Sequence, residues 1–362
     1  MLHRVVVVAI LFVSPIALAQ EAAPPASESA GNLAPAASES APSITTAVEA
    51  IAALEARGNS ISDDEAANFA TLIDAAVASE PTQMQWKYGQ ALLAARSRDF
   101  VKARDIMREV VKADATSATY HMARAGFAFM SINTAGTLDK MSLAEEGRDA
   151  YLAALKIDAS LIEPRVGLAE YYIQAPGIAG GSWKKAGEQA QALIDLPEGR
   201  GEFLGYMMKG RIAMERERWK EMTEAFTLAE TARGENASQF VAIISHANAL
   251  LDKKEDAKAA LAQAERAMPL APANDYTAYA VLGRCKQQLK DWQGAHDAFE
   301  KVLALRPDAK MSRLGYAEAL EKLGKQPEAL QQYREFTTRF PNDDLADKAN
   351  AAIARLNRAG IR

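Results

Sequence analysis

Apolar residues recur every three or four positions through most of this chain, a pattern that predicts amphipathic helices. One such row consists of Phe69, Leu72, Ile73, Ala76 and Val77. Prolines at positions 81, 269, 307 and 341 mark helix ends, because proline cannot continue the hydrogen-bond ladder of a helix. No convincing strand pattern follows residue 45, so we expect an all-α protein.

Two serines are predicted to begin helices. Ser62 and Ser142 are each followed, three residues later, by a glutamate. This is the capping-box arrangement, in which serine and glutamate satisfy backbone amides that the first helical turn leaves unpaired. We therefore expect one helix to begin directly after Ser62 and another directly after Ser142.

Two stretches near the C-terminus repeat each other at a spacing of 34 residues. Tyr279, Leu282, Gly283, Ala295, Phe299 and Pro307 recur as Arg313, Tyr316, Ala317, Ala329, Tyr333 and Pro341. Every pair except the first keeps its chemical character. A fixed period of this length indicates helical units that bury their apolar faces on one another. The pattern resembles the tetratricopeptide repeat over roughly residues 84–343, strongly at the C-terminal end and loosely before residue 200.

The resemblance implies a right-handed α-solenoid of about seven to eight helix-turn-helix repeats with a C-terminal capping helix. We place a divergent N-terminal helix pair at 44–83, the repeats at 84–342, and the capping helix and tail at 343–362. In one unit this phasing sets Ser245 opposite Ala257 as the small residues where two helices cross. In the unit before it, Met222 occupies the place where a small residue is expected.

The first 19 residues have the features of a secretory signal peptide. A short basic start precedes an apolar run, and Ala17-Leu18-Ala19 forms a small-x-small site that predicts cleavage after Ala19. An uncleaved membrane anchor is the alternative, although a span takes about 20 apolar residues. Residues 20–43 are mostly Ala, Pro, Ser and Glu, a composition typical of a disordered tether. We therefore expect a periplasmic or secreted protein.

Composition and motifs narrow the function classes. The net charge of −5 argues against nucleic acid as a partner, since phosphate binding needs clustered lysine and arginine. The sequence contains no catalytic, phosphate-loop or metal-ligand motif, so we expect no enzyme activity, no cofactor and no metal. The single cysteine, Cys285, is interpreted as a packing residue, with a redox-sensing thiol as the alternative.

One candidate partner-binding site follows from the family resemblance. It implies a concave groove lined by the first helix of each pair, and our phasing puts Arg211, His246 and Arg284 at equivalent positions in it. Together with Met207 and Gln287, these residues would form a mildly basic floor suited to a carboxylate or an acidic segment. Solvated surface residues are the alternative interpretation.

A second candidate is the glycine-rich turn, residues 176–182, with the residue that follows it. The residues of interest are Gly177, Gly180, Gly181, Ser182 and Trp183. Such a turn can point amide hydrogens outward toward an anion, and Ser182 can cap a helix that starts at Trp183. An enlarged turn between two helices is the alternative, as is a packing role for Trp183. A second insertion, near 131–141, lies in the same turn of the preceding unit, so we expect both on one edge.

These patterns predict a non-catalytic protein–protein interaction scaffold or adaptor of the bacterial cell envelope that binds peptide segments or partner helices. An alternative is a solute-binding component of a periplasmic transport system. In that case the aromatic side chains of Tyr171, Tyr172, Trp183 and Tyr206 would enclose the solute. After cleavage we expect no integral membrane segment, and the sequence leaves the oligomeric state open.

Overall fold

The computed structural model describes residues 44–361, so the predicted signal peptide and tether lie outside the described residues. The described chain forms two compact units, one up to Gln189 and one from Ala190. Within residues 44–361, no helix is long and apolar enough to cross a membrane.

The described residues contain 17 α-helices and no strand, which confirms the prediction of an all-α helical repeat array. The first unit holds α1 (Ala47–Arg57), α2 (Asp63–Ser79), α3 (Met84–Arg96), α4 (Phe100–Ala113), α5 (Ala118–Ser131), α6 (Thr137–Ile157) and α7 (Glu163–Gln174). Helix α8 (Trp183–Ile194) crosses the division between the units. The second unit holds α9 (Glu202–Glu215), α10 (Trp219–Ala229), α11 (Gln239–Asp252), α12 (Ala257–Ala267), α13 (Thr277–Gln288), α14 (Trp292–Leu305), α15 (Lys310–Lys322), α16 (Gln326–Arg339) and α17 (Ala346–Arg358).

Consecutive helices pack against one another as pairs. In the second unit the pairs are α9 with α10, α11 with α12, α13 with α14 and α15 with α16. The second helix of each pair also packs on the first helix of the next, and α16 packs on α17. Helix α17 buries Ala349, Ala352 and Leu356 in the same apolar cluster as Phe336, so it covers the face that the last pair would otherwise expose.

Glycines at helix crossings make room for large aromatic rings. A Cβ atom on Gly283 would lie 2.7 Å from the ring of Phe299, and one on Gly315 would lie 2.5 Å from it. Gly283 lies on α13 and Gly315 on α15, so the Phe299 ring, which is 1% exposed, packs on its own pair and on the next. Gly210 receives the ring of Phe226 in the same way, at 2.9 Å. These close approaches explain why small residues recur at this position.

One of the two predicted capping boxes is present. The hydroxyl of Ser62 accepts a hydrogen bond from the amide of Glu65, and the Glu65 carboxylate accepts one from the amide of Ser62. The prediction of a helix start after Ser142 is wrong. Helix α6 begins at Thr137, because the inserted residues extend the helix toward its N-terminus.

In several pairs, a side chain on the first helix forms a hydrogen bond with the backbone of the segment that precedes that helix. Arg313 donates from Nη2 to the carbonyl oxygen of Pro307 at 2.8 Å, and Arg165 donates to the carbonyl oxygen of Ala159 at 2.6 Å. Both arginines reach back six residues. Arg313 is the residue that breaks the 34-residue repeat, and this contact gives it a role in the connection before its helix.

The turns inside the pairs share a left-handed residue. Five residues with positive φ directly precede the second helix's N-cap: Arg98, Glu217, Glu255, Lys290 and Gly324. A left-handed backbone costs a residue with a Cβ about 1–2 kcal/mol relative to glycine. Among these five turns, only the one at Gly324 has a glycine and so avoids this cost.

We expect Gly324→Ala to lower the free energy of unfolding by about 1 kcal/mol and Lys290→Gly to raise it by up to about 1 kcal/mol. Urea unfolding of the full chain measures both. Gly187→Ala is the matched control, because it lies inside α8 with open space around its Cβ, where alanine is the better helix former. If Gly324→Ala and Gly187→Ala changed the free energy of unfolding in the same direction, this account would be contradicted.

Candidate partner-binding site

The turn between the helices of each pair gives a common register for the second unit. The N-cap amide of the second helix donates to a carbonyl of the first: Arg218 to Ala213, Asp291 to Lys286 and Lys325 to Leu320 span five residues. In the remaining pair Asp256 donates to Leu250 across six residues. The turn before α12 therefore carries one additional residue.

This register corrects the predicted equivalence of three groove residues. The residues two positions before the accepting carbonyl are Arg211, Asn248, Arg284 and Glu318. His246 is thus not the counterpart of Arg211 and Arg284, because Asn248 occupies that position on α11. The predicted pair Ser245 and Ala257 is also wrong, and the register makes Ala247 and Ala260, both 0% exposed, the corresponding small residues.

His246 lies inside the protein and not on its surface. It is 2% exposed, its ring stacks on Phe226 with centroids 5.5 Å apart, and its Nε2 lies 3.3 Å from the Thr223 hydroxyl. Burial lowers the pKa of His246 below the usual histidine value. The side chain therefore packs between α10 and α11 as a neutral ring, which explains why it does not add positive charge to a surface.

Arg284 and Gln287 are held by side chains of neighbouring first helices. Arg284 pairs with Asp252 and donates from Nη1 to Asn248 Oδ1 at 3.2 Å. Gln287 donates to Glu318 Oε2 at 3.0 Å. These contacts link α11 to α13 and α13 to α15. The charge of Arg284 is thereby balanced inside the protein, so the floor is less basic than the sequence predicted.

Further ion pairs extend the same row in both directions. Lys253 Nζ lies 3.2 Å from Glu215 Oε2, and Arg355 Nη2 lies 2.8 Å from Glu321 Oε2. We call this set the polar ladder: Glu215, Asn248, Asp252, Lys253, Arg284, Gln287, Glu318, Glu321 and Arg355. It joins α9, α11, α13, α15 and α17 along one side of the second unit. Arg211 and Met207 lie on α9 and are partly buried.

Apolar side chains stand on the same helices, nearer to their N-terminal ends. Val241 on α11 is 43% exposed and Met311 on α15 is 62% exposed. Both lie nine residues before the accepting carbonyl of their turn, so they occupy equivalent positions. Our sequence interpretation missed them. The available signal was an apolar residue in the first turn of a first helix, outside the row that the helix buries.

Consecutive first helices contact one another, α9 with α11, α11 with α13 and α13 with α15. The second helices α10, α12 and α14 contact one another at most slightly. The first helices are therefore drawn together on one side of the second unit. We call this side the first-helix face, and it consists of Val241 and Met311 beside the polar ladder.

The glycine-rich turn uses its amides internally. The amides of Ala179, Gly180, Gly181 and Ser182 donate to the carbonyls of Pro176, Gly177, Pro176 and Tyr172 at 2.8, 3.0, 3.1 and 2.9 Å. The prediction that this turn points its amides outward toward an anion is therefore wrong for these four residues. Ser182 accepts a hydrogen bond from the amide of Lys185 at 3.3 Å and so caps α8. Gly177 lies in open space at the start of a short 3₁₀ turn, Gly177–Ala179.

Trp183 and Ile178 are the exposed apolar residues of this region. The indole of Trp183 is 39% exposed, and Ile178 is 89% exposed. Trp183 is therefore neither fully packed nor fully solvated. The insertion near 131–141 forms a short 3₁₀ turn, Ile132–Thr134, and the first residues of α6. It lies between α5 and α6, as the glycine-rich turn lies between α7 and α8.

Two of the four aromatic residues proposed to enclose a solute are core residues. Tyr171 and Tyr172 are 3% and 5% exposed, and their rings meet edge to face with centroids 5.5 Å apart. Within residues 44–361, no group of three or more histidine, cysteine, aspartate or glutamate side chains is placed to hold a metal ion.

Cys285 lies inside the core of α11 to α13. It is 0% exposed, and burial raises the pKa of its thiol to about 11. Since the thiolate is the reactive form, we expect the native protein to resist thiol reagents at pH 8, whereas the urea-unfolded chain reacts fully. A colorimetric thiol assay measures this, and rapid labelling of the native protein would instead favour the redox interpretation.

Comparison with known proteins agrees with the helical architecture. A family model described as a tetratricopeptide repeat matches residues 64–118 and 280–344. These matches support a tetratricopeptide repeat protein. No curated protein matches the chain.

Several solved structures have a similar fold. Yeast Tom70 superposes with a TM-score of 0.62 at 15% identity, over 90% of this chain and 66% of that one. A tetratricopeptide repeat protein from Parabacteroides merdae ATCC 43184 gives 0.52 at 14% identity, over 76% of this chain and 98% of that one. Against the APC/C hetero-tetramer Cut9-Hcn1 the score is 0.46 at 15% identity, over 80% of this chain and only 52% of that one. The likeness to the first two structures concerns the fold alone, and the third, with a score below 0.5, supports no inference.

Proposed function

We propose that this chain is a non-catalytic scaffold of the bacterial cell envelope that binds a peptide segment or a partner helix along its first-helix face. The similarity to tetratricopeptide repeat proteins favours a protein–protein interaction scaffold. The observation that carries the proposal is the pair of exposed apolar side chains, Val241 and Met311, at equivalent positions beside the polar ladder. The envelope location rests on the signal-peptide features of residues 1–19.

The chemistry of the face favours a partner with apolar anchors. The polar ladder is satisfied within the protein, so a ligand carboxylate that binds Arg284 must first replace Asp252. Burying Val241 and Met311 needs no such exchange and yields roughly 25 cal/mol per Å² of apolar surface. Arg211 and Arg284 are therefore proposed as secondary contacts that orient the partner, and the apolar pair as its anchors.

A preformed face also lowers the cost of binding. The ladder links neighbouring helices through side chains that are already ordered, so the protein loses little further conformational freedom when a partner binds. Most of the conformational entropy lost on binding is therefore that of the partner segment. We expect the affinity to depend on a few anchors and to be sensitive to single apolar replacements.

Affinity capture from crosslinked native cell envelopes tests the proposal. The double variant Val241→Glu with Met311→Glu should lose the captured proteins, because both sites are exposed and the change leaves the core intact. The matched control is Leu228→Glu with Leu305→Glu, which alters two exposed apolar residues, 49% and 39% exposed, on second helices. Equal capture by both double variants would contradict the proposed face.

A further inference from the structure

A titratable ring takes part in the packing between α10 and α11, where one helix pair meets the next. The Phe226 ring on α10 packs on Gly210 of its own pair. It also stacks on the His246 ring of α11, with centroids 5.5 Å apart and planes inclined by 22°. His246 is 2% exposed, so this junction closes over a side chain that can take up a proton.

The closed junction offers a protonated His246 ring only one hydrogen-bond partner. Its Nε2 lies 3.3 Å from the Thr223 hydroxyl on α10. Its Nδ1 is buried and has no hydrogen-bond partner among residues 44–361. A protonated imidazole carries a donor on both nitrogens, and burying a charged donor without an acceptor is costly. The closed junction therefore favours the neutral ring.

The charges around the ring act on it from α10 and from α12. Burial has the largest effect on the pKa of His246 and lowers it. Glu230, which follows α10, raises the pKa, whereas Arg266 on α12 and Lys254 before α12 lower it. Arg266 Nη2 lies 2.7 Å from Glu230 Oε2, so the one acid of this set is already paired with a cation. The surroundings thus do not compensate for the burial of a charged ring.

We propose that His246 makes the junction between α10 and α11 an acid-sensitive hinge. The open junction binds a proton that the closed junction excludes, so opening becomes more frequent as the pH falls below about 6.5, the usual histidine value. The ion pair of Lys253 with Glu215, which joins α11 to α9, crosses the same junction and would separate with it. Val241 and Met311 both lie on the α11 side of the hinge and stay together.

Amide hydrogen exchange of the full chain at pH 7.5 and pH 5.5 tests this inference, which does not depend on partner binding. Protection is compared after correction for the intrinsic pH dependence of exchange. We expect the protection of α10 and α11 to fall at the lower pH by up to about tenfold per pH unit, the limit for a single proton. Helices α15 and α16 are the reference and should keep their protection. His246→Phe keeps an aromatic ring against Phe226 but cannot take up a proton, so the fall should disappear in that variant.

His296→Phe is the matched control. The His296 ring also contacts an aromatic ring of the next pair, Tyr316, with centroids 4.9 Å apart, but its Nδ1 lies 2.8 Å from the Asp297 carboxylate. A protonated His296 ring therefore has an acceptor, and its replacement should leave the fall in α10 and α11 unchanged. Constant protection of α10 and α11 in the parent protein, an equal fall in His246→Phe, or the same fall in α15 and α16 would overturn the proposal.

Two charge variants test the hinge even if His246→Phe does not fold. Lys254→Gln removes a cation that disfavours the protonated His246 ring, so the fall in protection should become smaller. Glu230→Gln removes the acid that favours the protonated ring, so the fall should become larger. Shifts in the same direction in the two variants, or no shift in either, would contradict the assignment of the acid response to His246.

Discussion

Replacing Phe299 with alanine should lower the free energy of unfolding by about 3–5 kcal/mol. The ring is 1% exposed and fills the space left by Gly283 on its own pair and Gly315 on the next. Its removal leaves a cavity that two rigid helix crossings border, and close-packed backbones cannot collapse into it. Thermal or urea unfolding measures the loss.

Leu305→Ala is the matched control for this prediction. Leu305 ends the same helix, α14, but is 39% exposed, so its truncation should cost less than about 1 kcal/mol. If the two variants were equally stable, Phe299 would not join neighbouring pairs as the geometry indicates. A further check is Gly315→Ala, which places a Cβ 2.5 Å from the same ring and should also destabilise the protein.

Replacing Gly181 with alanine should cost about 3 kcal/mol, the upper range for overpacking. Its Cβ would lie 1.8 Å from the carbonyl oxygen of Ala175 and 3.2 Å from the carbonyl carbon of Pro176. Both are backbone atoms, so no side-chain rotation relieves the clash, and the turn must be rebuilt. The hydrogen bonds that the Gly181 and Ser182 amides donate would be lost when the turn is rebuilt.

Gly177→Ala is the control for the same turn, since no atom lies within 4 Å of the Cβ it would add. We expect the free energy of unfolding of that variant to lie within about 0.5 kcal/mol of the parent protein's. Hydrogen exchange of the Ser182 amide reports on the turn directly, and should become faster in Gly181→Ala alone. Equal exchange in the two variants would show that the turn does not depend on Gly181.

The sequence period predicts the helix pairs and their close crossings because burial of one face requires apolar residues at helical spacing. Gly283 and Phe299 are recognisable for that reason, and the structure brings them together. The Ser62 capping box is likewise a local signal, since both partners lie within one turn. Ser142 carries the same signal but lies inside α6, which already begins at Thr137.

The candidate site was harder to predict because it depends on register. Helix α12 is rich in alanine, so Ala257 and Ala260 are both acceptable small residues at the crossing. Only the hydrogen bond from the Asp256 amide to the Leu250 carbonyl reveals the additional residue in the turn. On α11 the same bond assigns the position of Arg211 and Arg284 to Asn248, whereas His246 lies in the core. The pairing of Arg284 with Asp252 was also hidden, because it joins residues on different helices.

The most direct test of the proposed scaffold is site-specific photo-crosslinking in native cell envelopes. A photoreactive residue replaces Met311 on the first-helix face or, in a parallel chain, Leu305 on a second helix. We expect discrete protein adducts at position 311 and few at position 305. Adducts of equal yield and identity at the two positions, or adducts at position 305 alone, would contradict partner binding along the first-helix face.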